Sequence, residues 1–163
     1  MINREVLSIP GPTGSGIDIP YFELIGATPG PHLTVLAGIH GAEYSSIAAA
    51  KRFVAEVKDQ EIIGRITVVP IVNILAFWAR VPFVIPVDHE NLNRAFPGNQ
   101  YGSFTEIYAF HIFEKFIKGS DFLLDMHAGD IPESLDNTNQ IVDKIDVLNL
   151  KKDILLPAFP IPA

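Results

Sequence analysis

Three apolar segments of strand length alternate with helical patterns along this chain, and this alternation restricts the fold more than any other feature. The segments are Leu33 to Ile39, Arg65 to Val72 and Phe122 to Met126. Apolar runs of this length are typical of strands that are buried on both faces of a sheet. Between them, Ala42 to Lys58 and Ser103 to Gly119 carry apolar residues at helical spacing. We therefore predict an α/β fold with a mostly parallel central sheet flanked by helices.

Shorter signals place the remaining elements. Val6 to Ile9 and Ile17 to Ile25 are predicted strands on either side of a glycine-rich turn. Ser103 and Glu106 have the spacing of a capping box, which predicts where the second helix begins. The stretch from Asn73 to Pro97 is marked by proline and has little periodicity, so it is predicted to be a long loop of functional importance.

The composition excludes several classes of function. The chain has 163 residues, 48% of them hydrophobic, and a mean hydropathy of +0.26, which predicts one globular domain with a real core. Its formal net charge of -7 argues against nucleic-acid binding, which depends on Lys and Arg. It has no cysteine, so a metal site must use histidine and carboxylate ligands. The sequence shows neither a signal peptide nor an unbroken membrane-length apolar run, which predicts a cytoplasmic protein without a membrane partner.

Two histidines and one glutamate stand where predicted strands end. His40 and Glu43 follow the first apolar segment, and His127 follows the last one. Ligands of open α/β sheets gather at the carboxyl ends of strands, and two His with one Glu are the ligands of a catalytic zinc site with an open position. The alternative for Glu43 is a surface carboxylate in the first turn of a helix. The alternative for His127 is a hydrogen-bonded core histidine.

A third polar segment lies in the predicted loop. Asn93 and Arg94 combine an amide with a guanidinium group, whose planar fork matches a carboxylate. The alternative for Arg94 is a structural salt bridge. Asp125, next to the last predicted strand end, is a candidate to hold an imidazole ring in position.

Together these segments resemble the succinylglutamate desuccinylase/aspartoacylase family, relatives of the zinc carboxypeptidases. The resemblance extends from about Ile25 to Leu135, and order and spacing agree as well as identity. The matching segments are Gly30-Pro31, Ala37-Gly38-Ile39-His40-Gly41-Ala42-Glu43, Val69-Pro70-Ile71-Val72-Asn73, Asn91-Leu92-Asn93-Arg94 with Phe96-Pro97-Gly98, and Asp125-Met126-His127.

The resemblance implies a zinc carboxypeptidase-like fold and a function. It implies zinc as the cofactor, with His40, Glu43 and His127 as the metal ligands. It implies hydrolysis of the amide bond of a small N-acylated amino acid, whose carboxylate is held by Asn93 and Arg94. Arg80 lies in the region where relatives carry an arginine that stabilises the oxyanion, although the loop around it varies. The alternative activity within the same fold is that of a metallocarboxypeptidase.

The sequence departs from the family pattern on its C-terminal side, where relatives carry a glutamate that acts as general base. Neither Glu90 nor Glu133 matches that glutamate, so the general base is unknown. We therefore expect an α/β hydrolytic domain over residues 1–136, truncated relative to the family. Residues 137–163 are expected to form a non-family tail, a helix followed by a proline-rich end.

This departure leaves two questions open. The rival to an active hydrolase is a non-catalytic remnant that binds metal but lacks the general base. Missing later strands would also leave an open sheet edge, to be covered by the tail or by a second copy of the chain in a homo-oligomer.

Overall fold

A computed structural model describes residues 1–129 and shows one five-stranded sheet with the strand order β1-β2-β4-β3-β5. The strands are β1 (Ile2–Pro10), β2 (Gly16–Ile25), β3 (Thr28–Ala37), β4 (Ile63–Val69) and β5 (Phe122–Met126). The helices are α1 (Tyr44–Val57), α2 (Ile74–Ala79) and α3 (Phe104–Ile112), with a 3₁₀ turn at Leu92–Arg94 and a π-helical turn, Phe113–Ile117, that continues α3. The predicted α/β fold is confirmed. The proposed boundary at residue 136, the tail and Glu133 lie outside the described residues.

The sheet is mixed rather than mostly parallel. β3 pairs in parallel with β4 and with β5, as the predicted crossover helices require. β2 runs antiparallel to both of its neighbours, because the glycine-rich turn after β1 reverses the chain directly into β2. Among the described residues β5 pairs only with β3, and the cover of its other edge stays a prediction.

Helices cover both faces of the sheet. On one face, α1 buries Ala50 and Val54 in a cluster with Val35 of β3 and Val68 of β4. On the other face, Tyr108, Ala109 and Ile112 of α3 and Phe116 of the π-helical turn pack with Leu36 and Val69. Neighbouring residues of β3 thus point to opposite faces, as the strand period of two demands. No helix within residues 1–129 is long and apolar enough to span a membrane.

The predicted capping box is present at the start of α3. The Ser103 hydroxyl accepts a hydrogen bond from the Glu106 N–H at 3.3 Å, and the Ser103 N–H donates to the Glu106 carboxylate at 2.8 Å. The predicted long loop from Asn73 is partly wrong, since it contains α2. Asn73 caps α2 by accepting a hydrogen bond from the Ala76 N–H at 3.1 Å. A helix of six residues is too short to show a periodic pattern.

Candidate metal centre

The register between β3 and β5 brings two distant segments together. Ala37, the last residue of β3, is paired with Met126, the last residue of β5. His40 and His127 lie shortly after these strand ends, so both reach the same edge of the sheet. The intervening Gly38 has a φ of 65°, a left-handed conformation that favours glycine. The Asn73 N–H donates to the Gly38 carbonyl at 2.9 Å and fixes this turn.

Glu43 turns inward from the start of α1. It occupies the N-cap position but makes no side-chain capping hydrogen bond, and the residue is only 3% exposed. This burial rules out the alternative of a surface carboxylate. His40 Nδ1 lies 2.8 Å from the Glu43 carboxylate, and His127 Nδ1 lies 3.2 Å from it. The Ala128 N–H also donates to the Glu43 carboxylate, at 3.1 Å.

The three side chains form a compact set of donor atoms. One ligand atom from each of His40, Glu43 and His127 lies within 4.8 Å of the others. The two imidazole rings are 5.3 Å apart, centroid to centroid. The His127 side chain is 24% exposed, so the cluster is open to solvent on its side. The structure therefore unites the three residues that the sequence selected as metal ligands.

Each imidazole also meets an oxygen atom on its outer side. His127 Nε2 lies 2.9 Å from the Asp125 carboxylate, as expected for a residue that holds a ring in position. His40 Nε2 lies 3.3 Å from Asn91 Oδ1. With Nε2 donating its proton to the outer oxygen, Nδ1 is the nitrogen that can bind a metal ion once it has released its own proton. Both rings thus direct the same nitrogen atom toward Glu43.

The electrostatics of the cluster suit a cation. Burial alone raises the pKa of Glu43, but hydrogen bonds from His127 and His40 outweigh burial and lower this pKa to about 2. Hydrogen bonds to Asp125 and Glu43 raise the pKa of His127 to about 10. Asp125 Oδ1 is buried and has no hydrogen-bond partner within residues 1–129. Two carboxylates, one with an oxygen left unpaired, favour positive charge here, and nitrogen and oxygen donors fit a divalent metal ion.

The predicted substrate-binding residues lie beside the centre. Asn91 Oδ1 accepts a hydrogen bond from the Asn93 N–H at 2.9 Å, so the same amide that contacts His40 starts the 3₁₀ turn. Asn93 is half-buried, whereas Arg94 is exposed. The Arg94 guanidinium forms no salt bridge with any residue from 1 to 129, so its structural alternative finds no support in that range.

The oxyanion role expected of Arg80 stays a prediction. Arg80 ends α2 with a φ of 54°, is exposed, and makes no hydrogen bond or salt bridge with the three candidate ligands. The ring of Phe83, three residues later, packs against His40 instead. Sequence reasoning did not assign a role to Phe83 or to Asn91. Asn91 lies in a motif that the sequence singled out, whereas no sequence signal marks Phe83.

A candidate general base is not found among the described residues. Apart from Glu43 and Asp125, no carboxylate in residues 1–129 forms a hydrogen bond or salt bridge with His40 or His127. Glu90 is exposed and accepts a hydrogen bond from the Ser103 hydroxyl at 2.7 Å.

Fold and site together define an α/β protein with a candidate His-Glu-His metal centre at the carboxyl ends of adjacent parallel strands. This chain belongs to the succinylglutamate desuccinylase/aspartoacylase family, whose catalytic-domain model matches residues 29–156. That match continues past residue 136, where the sequence had suggested a boundary.

Individual relatives agree with this assignment. Over 100 residues the chain is 36% identical to the N-alpha-acetyl-L-2,4-diaminobutyric acid deacetylase of Halomonas elongata. This alignment covers 61% of the chain and 29% of the relative. The chain is also 33% identical in sequence to an aspartoacylase family protein from Mesorhizobium loti. The crystal structure of that protein matches with a TM-score of 0.71 and covers 77% of this chain and 40% of its own. The product-bound ectoine utilization protein EutE (DoeB) from Ruegeria pomeroyi is 28% identical, with a TM-score of 0.70 over 78% and 40%. The chain thus spans less than half the length of these relatives.

Proposed function

We propose that this chain supplies the zinc-binding part of a hydrolase that cleaves the amide bond of a small N-acylated amino acid. The observation that carries the proposal is the convergence of His40, Glu43 and His127, whose donor atoms lie within 4.8 Å of one another at adjacent strand ends. Family membership supports the reaction class, and the name of the Halomonas relative supports deacylation.

Zinc is the metal that this donor set favours. Two imidazole nitrogens and one carboxylate oxygen match a three-ligand zinc site, and the chain has no cysteine that would favour a softer metal. When bound, zinc supplies Lewis acidity, which polarises an amide carbonyl and makes water a nucleophile near neutral pH. His40 and Glu43 are buried and His127 is partly open, so substrate has access from the side of His127.

The residues around the ligands hold them in a reactive arrangement. Asp125 and Asn91 each engage an Nε2 atom and so keep Nδ1 directed at the centre. The carboxylate of Asp125 is the stronger acceptor, because the Asn91 amide oxygen carries no net charge. His127 is therefore oriented more firmly than His40.

The 3₁₀ turn is proposed to bind the amino-acid end of the substrate. Arg94 presents an exposed guanidinium on a turn that Asn91 ties to His40, and its fork matches a carboxylate. Asn93 adds an amide donor and acceptor. Holding the carboxylate there fixes which carbonyl meets the centre. Arg80 is proposed as the oxyanion donor, and within residues 1–129 it forms no hydrogen bond or salt bridge with the three ligands.

A second candidate function is metal binding without turnover. It is favoured by one observation: residues 1–129 contain no carboxylate that contacts the centre beyond the ligand Glu43 and the orienting Asp125. Hydrolysis needs a group that accepts a proton from water and returns one to the leaving nitrogen. In this case the chain binds zinc and the acylated amino acid but releases no product.

Metal analysis and a substrate panel test these proposals. We expect about one zinc per chain, and His40→Ala should lose it, whereas the exposed His89→Asn should retain it. Zinc retained by His40→Ala would refute the ligand assignment. The zinc-loaded chain is then assayed with N-acetyl and N-succinyl amino acids and with dipeptides, before and after metal removal. Metal-dependent release of the amino acid supports the hydrolase, absence of all turnover supports the second candidate, and cleavage of dipeptides alone supports a carboxypeptidase.

A further inference from the structure

We propose that Phe83 is a specificity-determining residue that packs against the acyl group and favours a short, uncharged acyl group over one that carries a carboxylate. This inference rests on the proposed hydrolase and names the substrate class of the same site. The Phe83 ring centroid lies 5.2 Å from that of His40, with an angle of 78° between the ring planes. Phe83 nevertheless remains 41% exposed. An aromatic ring that touches a metal-site histidine and still faces solvent is positioned to contact a bound molecule.

The backbone holds Phe83 in an unfavourable conformation. Its φ of 62° lies in the left-handed region, which is sterically unfavourable for a large side chain. Such a conformation persists only where the surrounding structure imposes it, and these positions cluster at binding sites. Arg80 and His89 in the same loop also have a positive φ, of 54° and 59°. The loop is therefore built to a defined shape.

Contacts on both sides of Phe83 impose that shape. Before it, α2 packs directly on Gly41, where a Cβ atom would collide with the backbone of Ala76 and Phe77. This close contact places the end of α2, at Arg80, near the segment that carries His40. After it, Ile85 is fully buried and its N–H donates to the Glu90 carbonyl at 2.9 Å.

The position of Phe83 determines what it selects. Hydrolysis requires the scissile carbonyl at the centre, so the acyl group must lie among the side chains that surround the ligands. In the proposed function, Asn93 and Arg94 bind the amino-acid end of the substrate. The acyl end is then the part of the substrate that can contact Phe83. The face of an aromatic ring is electron-rich and apolar, so it packs well against a methyl group and poorly against a carboxylate, which would lose hydration there.

The test compares two acyl groups on one amino acid. N-acetyl and N-succinyl derivatives are measured with the zinc-loaded wild-type chain, Phe83→Ala, Phe83→Leu and the control Tyr101→Ala, which alters an aromatic side chain that is 86% exposed. The readout is the ratio of kcat/KM values for the two derivatives, or the ratio of Kd values from calorimetry if there is no turnover. We expect Phe83→Ala to reduce the preference for the acetyl derivative about tenfold, Phe83→Leu to retain most of it, and Tyr101→Ala to leave it unchanged. Zinc content and the melting temperature confirm that each variant is folded.

The outcomes separate this inference from the proposed function. Turnover with an acyl ratio that Phe83→Ala does not change overturns the role of Phe83 and leaves the hydrolase standing. Binding without turnover, with a Kd ratio that Phe83→Ala reduces, refutes the hydrolase and supports Phe83 as the acyl contact. If the zinc-loaded wild-type chain binds neither derivative, both proposals are overturned.

Discussion

Two buried histidines flank the segment of β3 that pairs with β5, Leu33 to Ala37, and they differ in the charge of their partners. His32, just before this segment, is 9% exposed, and its ring contacts the Thr67 hydroxyl at 2.8 Å and the Arg65 guanidinium at 2.9 Å. His40, just beyond the end, is 8% exposed and contacts the Glu43 carboxylate. Both side chains are thus buried and hydrogen-bonded, whereas the charged group that contacts the ring is a guanidinium in one case and a carboxylate in the other.

This difference distinguishes a structural histidine from a candidate metal ligand. Burial lowers the pKa of His32, and the charge of Arg65 contributes to the shift, so the ring stays neutral as part of the fold. Around Glu43 the contacting groups are negatively charged. His40 and His127 share the Glu43 carboxylate, and the Asp125 carboxylate lies on the other side of His127. The charge of the group that contacts the ring, rather than burial, distinguishes the two histidines.

The largest expected effect comes from removing the central negative charge. Glu43→Gln should weaken zinc binding by about a hundredfold or more, because it replaces a charged ligand with a neutral amide. Competition with a chromogenic chelator measures the affinity. The control is Glu56→Gln, which removes an exposed carboxylate from α1 that pairs with Arg52. Equal zinc affinity in Glu43→Gln and the wild type would contradict the assignment of the centre.

For His32, at the other end of the paired segment, the expected effect is on stability and not on zinc binding. His32→Ala should lower the free energy of unfolding by about 2–3 kcal/mol, because it leaves the buried Thr67 hydroxyl and its neighbours without a partner. Urea denaturation measures this loss, and His89→Asn serves as the surface control. Zinc stoichiometry should stay unchanged, and loss of zinc from His32→Ala would erase the distinction between the two histidines.

A smaller effect is expected from the outer partner of His40. Asn91→Ala should weaken zinc binding about tenfold, and Asn91→Asp should strengthen it several-fold by giving His40 the kind of partner that Asp125 gives His127. Chelator competition again provides the affinities. If Asn91→Asp and Asn91→Ala weaken binding equally, the contact between Asn91 and His40 does not orient the ring.

The pH dependence of stability sharpens the comparison further. The pKa of His32 is lowered in the folded protein from its usual 6.5, so the unfolded chain binds the proton more readily. The stability that neutral His32 contributes is therefore complete above about pH 6.5 and is lost as the pH falls toward the lowered value. We expect the difference in unfolding free energy between wild type and His32→Gln to shrink from pH 7 to about pH 5. If the difference between wild type and His32→Gln grew as the pH fell, the lowered pKa of His32 would be contradicted.

Much of the fold could be predicted because its strands and longer helices repeat a local pattern. Phe122–Met126 was predicted with its correct bounds, and α1 and α3 follow from helical spacing and the capping box. The short helix α2 was missed because six residues carry no period. The mixed sheet was missed because the pairing of β2 with β4 depends on tertiary packing rather than on the residues of either strand.

The candidate site shows the same division. The convergence of its three candidate ligands could be predicted because each lies near a strand end, and the strand pattern places those ends together. The contact of Phe83 with His40 joins residues far apart in the sequence through a loop of unusual backbone shape, which no local pattern encodes. Arg80 follows from the resemblance alone, and within residues 1–129 it forms no hydrogen bond or salt bridge with the three candidate ligands.

The pairing of β3 with β5 has a consequence for the precision of the centre. A slip by one residue would move His127 by about 3.3 Å and turn the strand's side chains to the opposite faces. Asp121 prevents this slip at the far end, where its carboxylate accepts a hydrogen bond from the His32 N–H at 2.7 Å and its own N–H donates to the His32 carbonyl at 2.9 Å. Strand β5 therefore holds a fixed register on β3. Asp121 fixes its start beside His32, and its end positions His127. Substitutions at Asp121 should therefore misalign the candidate metal ligands, although Asp121 contacts none of them.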